Sequence, residues 1–204
     1  MLRLYAALLF IMTPFMAVTA ETAVNGDPDA GKKKAQSCAA CHGADGNSSN
    51  ADWPKIAGQQ ADYIVTQLQA YKSGARENPQ MSPMAQDLSE QDMHDLAAYF
   101  SSQEITLETA SEEAIEQAET LYRAGKADAG MPACIACHGP KGNGVPGAGY
   151  PRISGQHAAY TAATLKAYRA GERGGGQADM MTAVAKHLSD EEIKALAEYV
   201  SGLY

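Results

Sequence analysis

Two stretches of the 204-residue chain carry the same hydrophobic stripe. Met93, Leu96, Ala97 and Phe100 fall at i, i+3, i+4 and i+7, and Ile193, Leu196, Ala197 and Val200 repeat that spacing. Each stretch therefore predicts an amphipathic helix with one buried face. Ser89 with Asp92, and Ser189 with Glu192, head the two stripes as S-x-x-D/E pairs. Such pairs start a helix at the serine, because hydroxyl and carboxylate satisfy N–H groups that the first turn leaves unbonded. A second pair of amphipathic segments covers roughly Ala61 to Ser73 and Ala158 to Ala170, with Leu68 and Tyr71 matching Leu165 and Tyr168. A shorter helix is expected ahead of Cys38 and ahead of Cys134. No segment alternates as a strand would, and Gly- and Pro-rich stretches such as Gly142 to Pro151 read as loops.

The pairing of elements extends to a duplication. His42-Gly43 and Gly46-Asn47 match His138-Gly139 and Gly142-Asn143, while Trp53-Pro54-Lys55-Ile56-Ala57-Gly58-Gln59 matches Tyr150-Pro151-Arg152-Ile153-Ser154-Gly155-Gln156. Ala70-Tyr71-Lys72-Ser73-Gly74 likewise matches Ala167-Tyr168-Arg169-Ala170-Gly171. Two copies mean paired domains, not a solenoid. The apolar pattern breaks between Ser101 and Ser111, so the expected domains are residues 21–105 and 106–204. Halves of about 85 to 95 residues are small for a self-sufficient core. With three Phe and one Trp in the chain, a buried cofactor would supply missing apolar mass.

That cofactor is suggested by the cysteines. Cys38-Ala39-Ala40-Cys41-His42 recurs as Cys134-Ile135-Ala136-Cys137-His138, and these motifs use all four cysteines. C-x-x-C-H is the attachment pattern of c-type haem: two thiols add to the porphyrin vinyl groups and the imidazole binds iron from one face. A four-thiolate zinc site would leave both histidines without a role, and a thioredoxin-like pair normally follows a strand, of which there is no sign. Met1 to Ala20 reads as a cleavable secretory signal, with Arg3, an apolar run from Leu4 to Met16 and Val18-Thr19-Ala20 as the cleavage site. The run is too short to span a bilayer, and no later segment is apolar enough. A periplasmic location follows.

The second iron ligand can be sought in the repeat. Met81 and Met181 each stand eight residues before the paired serines Ser89 and Ser189. Met84 pairs instead with Val184, Met93 with Ile193 and Met180 with Gln80, so Met81 and Met181 are the methionines that recur. The remaining histidines do not recur: His94 pairs with Lys194, His157 with Gln60 and His187 with Asp87. These three are read as surface residues, and bis-histidine ligation is not expected.

One haem motif, a W/Y-P-x-I-x-G-Q segment and a methionine before a terminal amphipathic helix resemble the class I cytochrome c fold. The tandem form resembles the periplasmic diheme cytochrome c4 family over nearly the whole mature chain. The resemblance implies an all-α fold of two tandem domains related by pseudo-twofold symmetry, each wrapped around one covalent haem c. Carried over, the iron ligands are His42 and Met81, then His138 and Met181, with thioether links at Cys38, Cys41, Cys134 and Cys137. It further implies that the carbonyls of Pro54 and Pro151 accept the N–H of the ligand imidazoles. Lys55 and Arg152 are read either as partners of haem propionates or as solvated basic residues.

A thioether ligand raises the reduction potential, and two protein ligands leave no open iron position for oxygen or peroxide. The expected activity is one-electron transfer without a catalytic residue. A membrane quinol-oxidising complex or other donor would supply the electron, and a terminal oxidase would accept it. The alternatives are a cytochrome subunit of a larger dehydrogenase and, further off, a diheme peroxidase. The formal charge of −8 argues against nucleic acid and leaves peripheral membrane association open. Charge is unevenly shared: from Glu21 to Tyr122 there are 6 Lys and Arg against 17 Asp and Glu, and from Arg123 onward 9 against 7.

Overall fold

The structure, a computed structural model, describes residues 25–176 and 178–204; the expected signal peptide at residues 1–20 lies outside them. The first half contains α1 (Pro28–Lys34), a 3-10 turn (Ala35–Ser37), α2 (Ala39–His42), α3 (Ala61–Ser73), α4 (Met81–Gln86) and α5 (Glu90–Ser101). The second repeats the plan as α6 (Glu112–Ala124), a 3-10 turn (Ala127–Ala129), α7 (Ile135–His138), α8 (Ala158–Ala170), α9 (Ala178–Ala185) and α10 (Asp190–Ser201). Among the described residues only isolated bridges of β type occur, Lys126 with Met131 and Val145 with Tyr150. None of the described helices is long and apolar enough to cross a membrane.

Both striped helices begin where their serines predict. The Ser89 N–H donates to the Asp92 carboxylate at 2.9 Å while the Asp92 N–H donates to Ser89 Oγ at 3.1 Å. Ser189 and Glu192 repeat the reciprocal box at 2.7 and 3.2 Å. The stripes form the cores: Met93, Leu96, Ala97 and Phe100 are all buried, and Leu96 and Phe100 pack with Ile64 and Val65 of α3. Ile193, Leu196 and Val200 pack with Ala118, Leu121 and Tyr122 of α6.

The two halves bring their first helices onto the last in different ways. Gly31 lets α1 lie against α5, since a Cβ there would stand 2.0 Å from the Asp95 carbonyl oxygen. In the second half the buried Ala114 and Ala118 form the contact face of α6. The segment leading to the cysteines differs too. A short helix precedes Cys38, but α6 has 13 residues and ends at Ala124. Gly125, at φ 67°, turns the chain out of the helix, and the bridge between Lys126 and Met131 carries it on to Cys134. The expectation of a shorter leading helix holds only for the first half.

Beyond each histidine the loop is held by one glycine. Gly46, at φ 85°, gives its carbonyl to the N–H of Ile56 and Ala57, and Gly142, at φ 65°, does so for Ile153 and Ser154. Each loop is then tied to the last helix of its half, by Gly58 N–H to the Phe100 carbonyl at 2.9 Å and by Gly155 N–H to that of Val200 at 3.0 Å.

Candidate haem sites and the interface between them

The two C-x-x-C-H motifs adopt the same turn. The N–H of His42 donates to the Cys38 carbonyl and that of His138 to the Cys134 carbonyl, both at 2.9 Å. One helical turn thus brings the two cysteines and the histidine of each motif together, with Cys41 exposed. All four cysteines are free. Among the described residues no three His, Cys, Asp or Glu side chains gather as a metal cluster, so the zinc alternative has no geometric support.

The imidazoles are oriented from behind. Nδ1 of His42 lies 2.9 Å from the Pro54 carbonyl, and Nδ1 of His138 lies 2.9 Å from that of Pro151. A carbonyl only accepts, so Nδ1 carries the proton and Nε2 keeps its lone pair for a metal. Burial lowers the pKa of both histidines, against the opposing pull of those carbonyl bonds, which favours the neutral form that iron binds. Burial raises the Cys38 thiol and pushes that of Cys134 up to about 11, as suits sulfur facing an apolar porphyrin edge.

In front of the imidazoles lies open space. A cavity of about 230 Å³ is lined by Cys38, His42 and Met81 from the first half and by Cys134, His138 and Met181 from the second. It adjoins a cavity of about 1060 Å³ that reaches Cys137, Met180 and Met181. Met84 and Met180 are exposed, at 46% and 45%, while Met93 and Met131 are buried in the cores.

Two guanidiniums cross the interface at the shared wall. Arg76 donates to Tyr160 Oη at 3.1 Å and Arg173 to Tyr63 Oη at 2.9 Å, each reaching the opposite half. Both also donate to Gln67 Oε1, and they stack over Tyr71 and Tyr168 respectively. Burial would raise the Tyr160 phenol, but Arg76 and Arg173 beside it hold its pKa down at about 8. Neither arginine has a carboxylate partner among the described ion pairs. Two uncompensated cations facing a cavity call for anions.

Above them two glutamines join the halves. Gln156 Oε1 accepts from the Lys55 N–H at 2.9 Å and its Nε2 donates to the Lys55 carbonyl at 2.8 Å. Gln59 makes the mirror pair with Arg152, at 2.8 and 2.9 Å. Each side chain acts as an extra peptide group for the other half, and the reciprocity marks a pseudo-twofold axis between the two proline segments.

These features have counterparts in known proteins. The Cytochrome c family profile matches residues 28–104 and again 116–203. Cytochrome c4 of Stutzerimonas stutzeri is 43% identical over 93% of this chain and 95% of its own length. The chain belongs to the cytochrome c4 family. The crystal structure of reduced recombinant cytochrome c4 from Pseudomonas stutzeri superposes with a TM-score of 0.85 at 45% identity, covering 88% of this chain and all of that one. A thiosulfate dehydrogenase electron acceptor from Stutzerimonas stutzeri (strain A1501) is 39% identical over 83% of this chain and 80% of its own length. Like its family the protein is a diheme electron carrier with two covalent haem c groups. The residues fit that cofactor: paired thiols, a neutral imidazole with Nε2 free, an apolar cavity and two guanidiniums suited to propionates.

Of the two readings of Lys55 and Arg152, the solvated one fails for Lys55, and one histidine is placed otherwise than expected. Lys55 is not solvated; it is 5% exposed, and its ammonium meets the Thr106 carbonyl at 2.7 Å and the Glu108 carboxylate at 3.1 Å. Arg152 is half-buried, its Nε near the Ser154 carbonyl. His157 is a correction. It is 8% exposed and lies in the interface, because the N-terminal end of α8 is pressed against the first half's haem loop. Arg76, Arg173, Tyr63 and Tyr160 escaped sequence reasoning, although both pairs recur between halves.

Proposed function

We propose that this protein is a periplasmic one-electron carrier in which His42 and Met81 would hold one haem iron and His138 and Met181 the other. Residues 21–105 and 106–204 form its two haem-binding units. The observation that carries this reading is the shared cavity wall: both C-x-x-C-H turns and both recurring methionines open on one space between the halves. Haem supplies the redox change, one electron per iron. The chain supplies the rest. Pro54 and Pro151 fix the imidazole rings and raise their basicity. Met81 and Met181, as ligands, would set a fairly high potential, since a thioether favours the reduced iron, and would leave no site for oxygen or peroxide. Arg76 and Arg173 would hold propionates at the interface between the halves.

Electrons would then pass through the pair to a respiratory acceptor such as a terminal oxidase, after delivery by a quinol-oxidising complex. Membranes bearing the oxidase should reoxidise the reduced protein in a cyanide-sensitive reaction, and carbon monoxide should fail to bind stoichiometrically at neutral pH. Rapid stoichiometric binding would contradict the ligand assignment and favour an enzyme. A second reading, a cytochrome docked on a dehydrogenase, draws support from the relative described as a thiosulfate dehydrogenase electron acceptor. Thiosulfate-dependent reduction of this chain by such an enzyme, with co-elution of the two, would favour it.

A further inference from the structure

His157 breaks the symmetry of the interface. Its position corresponds to Gln60 of the first half. Gln60 Nε2 donates to the Asn143 carbonyl of the second half's haem loop at 2.7 Å. His157 Nε2 faces a carbonyl of the first half's loop one residue further along, that of Ser48, at 2.8 Å. So far the two residues do the same work. The histidine, however, has a second partner: its Nδ1 lies 2.6 Å from Glu108 Oε1 on the connector between the halves.

Both groups that face the ring only accept when Glu108 is ionised. A neutral imidazole has one N–H and can serve one of them; the imidazolium serves both. The ring is 8% exposed, so an unserved carbonyl would find little water to replace the lost bond. The charges around it are those of Glu108 and of Lys55, whose ammonium shares the Glu108 carboxylate at 3.1 Å. Glu104 on the connector, and Asp45 and Asp52 on the haem loop, are the other ionisable groups of those elements, and the proline segment adds only Lys55.

The site is wired to the first haem-binding turn. Ser48, whose carbonyl faces Nε2, also gives its hydroxyl to the Cys41 carbonyl at 2.9 Å. Lys55 follows Pro54, whose carbonyl holds Nδ1 of His42. We propose that His157 is a proton-binding site which, as imidazolium, clamps the two halves together and ties the potential of the haem at Cys38 and Cys41 to pH. A cation there favours the added electron, so reduction of that haem promotes uptake of one proton from solvent by His157. Raising the pH removes the proton, releases one of the two bonds and lowers that potential. The inference rests on haem attachment at Cys38 and Cys41, and on neither the methionine assignment nor the identity of any partner.

The molecule contains its own control, because Gln60 shows that an amide fits the position. Two readouts decide the matter on intact diheme protein. Nitrogen-15 NMR of the histidine rings should show both His157 nitrogens protonated at the acid end of about pH 5 to 8, where imidazoles change charge. Over that range, site-resolved redox titration should show the potential of the first haem falling in wild type. It should fall by clearly less in His157→Gln and in Glu108→Gln, while the second haem behaves alike in all three. A ring with one protonated nitrogen throughout the range, or a wild-type pH slope retained in both variants, would overturn the proposal. Should His157→Gln fold poorly, Glu108→Gln and the ring spectra still decide.

Discussion

At the level of single residues, recurrence between the halves is what marks the proposed ligands among the methionines. Met81 and Met181 recur and line the cavity with His42 and His138, whereas Met84 and Met180 are exposed. Met81→Ala and Met181→Ala should each abolish the weak far-red sulfur-to-iron absorption of one haem and lower that haem's potential. Met84→Ala and Met180→Ala should leave both bands in place; loss of a band in Met84→Ala would contradict the register. The same recurrence, had it been applied to arginine and tyrosine, would have marked Arg76 with Arg173 and Tyr63 with Tyr160. It could not have told that they cross between halves, since that depends on how α3 and α8 face each other. His157 was unreadable for the opposite reason. Nothing recurs there, and its burial comes from the docking of one half on the other.

At the level of helices the sequence was most legible where local chemistry decides. The stripes, the capping serines and the spans of α3 and α8 follow from spacing within each segment. What leads into the second haem turn does not, because Gly125 and the bridge between Lys126 and Met131 reroute the chain after α6. Ser89→Ala and Ser189→Ala should each destabilise the protein by about 1 kcal/mol, seen as a lower denaturant midpoint at unchanged slope. Gly31→Ala should cost more, since its methyl would meet the Asp95 carbonyl. The first cap also has a pH signature. Hydrogen bonds from Lys34, then Ser89, hold the Asp92 carboxyl down at about 2. A lowered carboxyl pKa stabilises the fold above the unfolded value, about 4, and that contribution fades as pH falls towards 2. Asp92→Asn should therefore narrow the difference in stability between pH 6 and pH 3, as followed by acid titration of the denaturant midpoint. An unchanged difference would mean that the exposed cap contributes nothing measurable.

Across the whole molecule the two haem sites share an interface but not a charge. Residues 77–122 contain no Lys or Arg, while the second half carries most of the basic groups. One charge at about 15 Å, with an effective dielectric near 20, contributes roughly 1 kcal/mol, or ~40 mV for one electron. Screening over about 8 Å removes much of that. The haem at Cys38 and Cys41 should therefore have the lower potential, by some tens of millivolts, and pass electrons to the haem at Cys134 and Cys137. The asymmetry also makes the molecule dipolar, so its reaction rates with charged partners should fall as salt rises. The central claim, two haems exchanging electrons across one interface, is tested most directly by NMR of the haem methyl signals in half-reduced protein. The account predicts that each methyl appears at a shift averaged between its oxidised and reduced positions, unchanged on dilution, with the Cys38–Cys41 haem the more oxidised. Separate oxidised and reduced signals that merge only at high protein concentration would show exchange between molecules instead, and would contradict it.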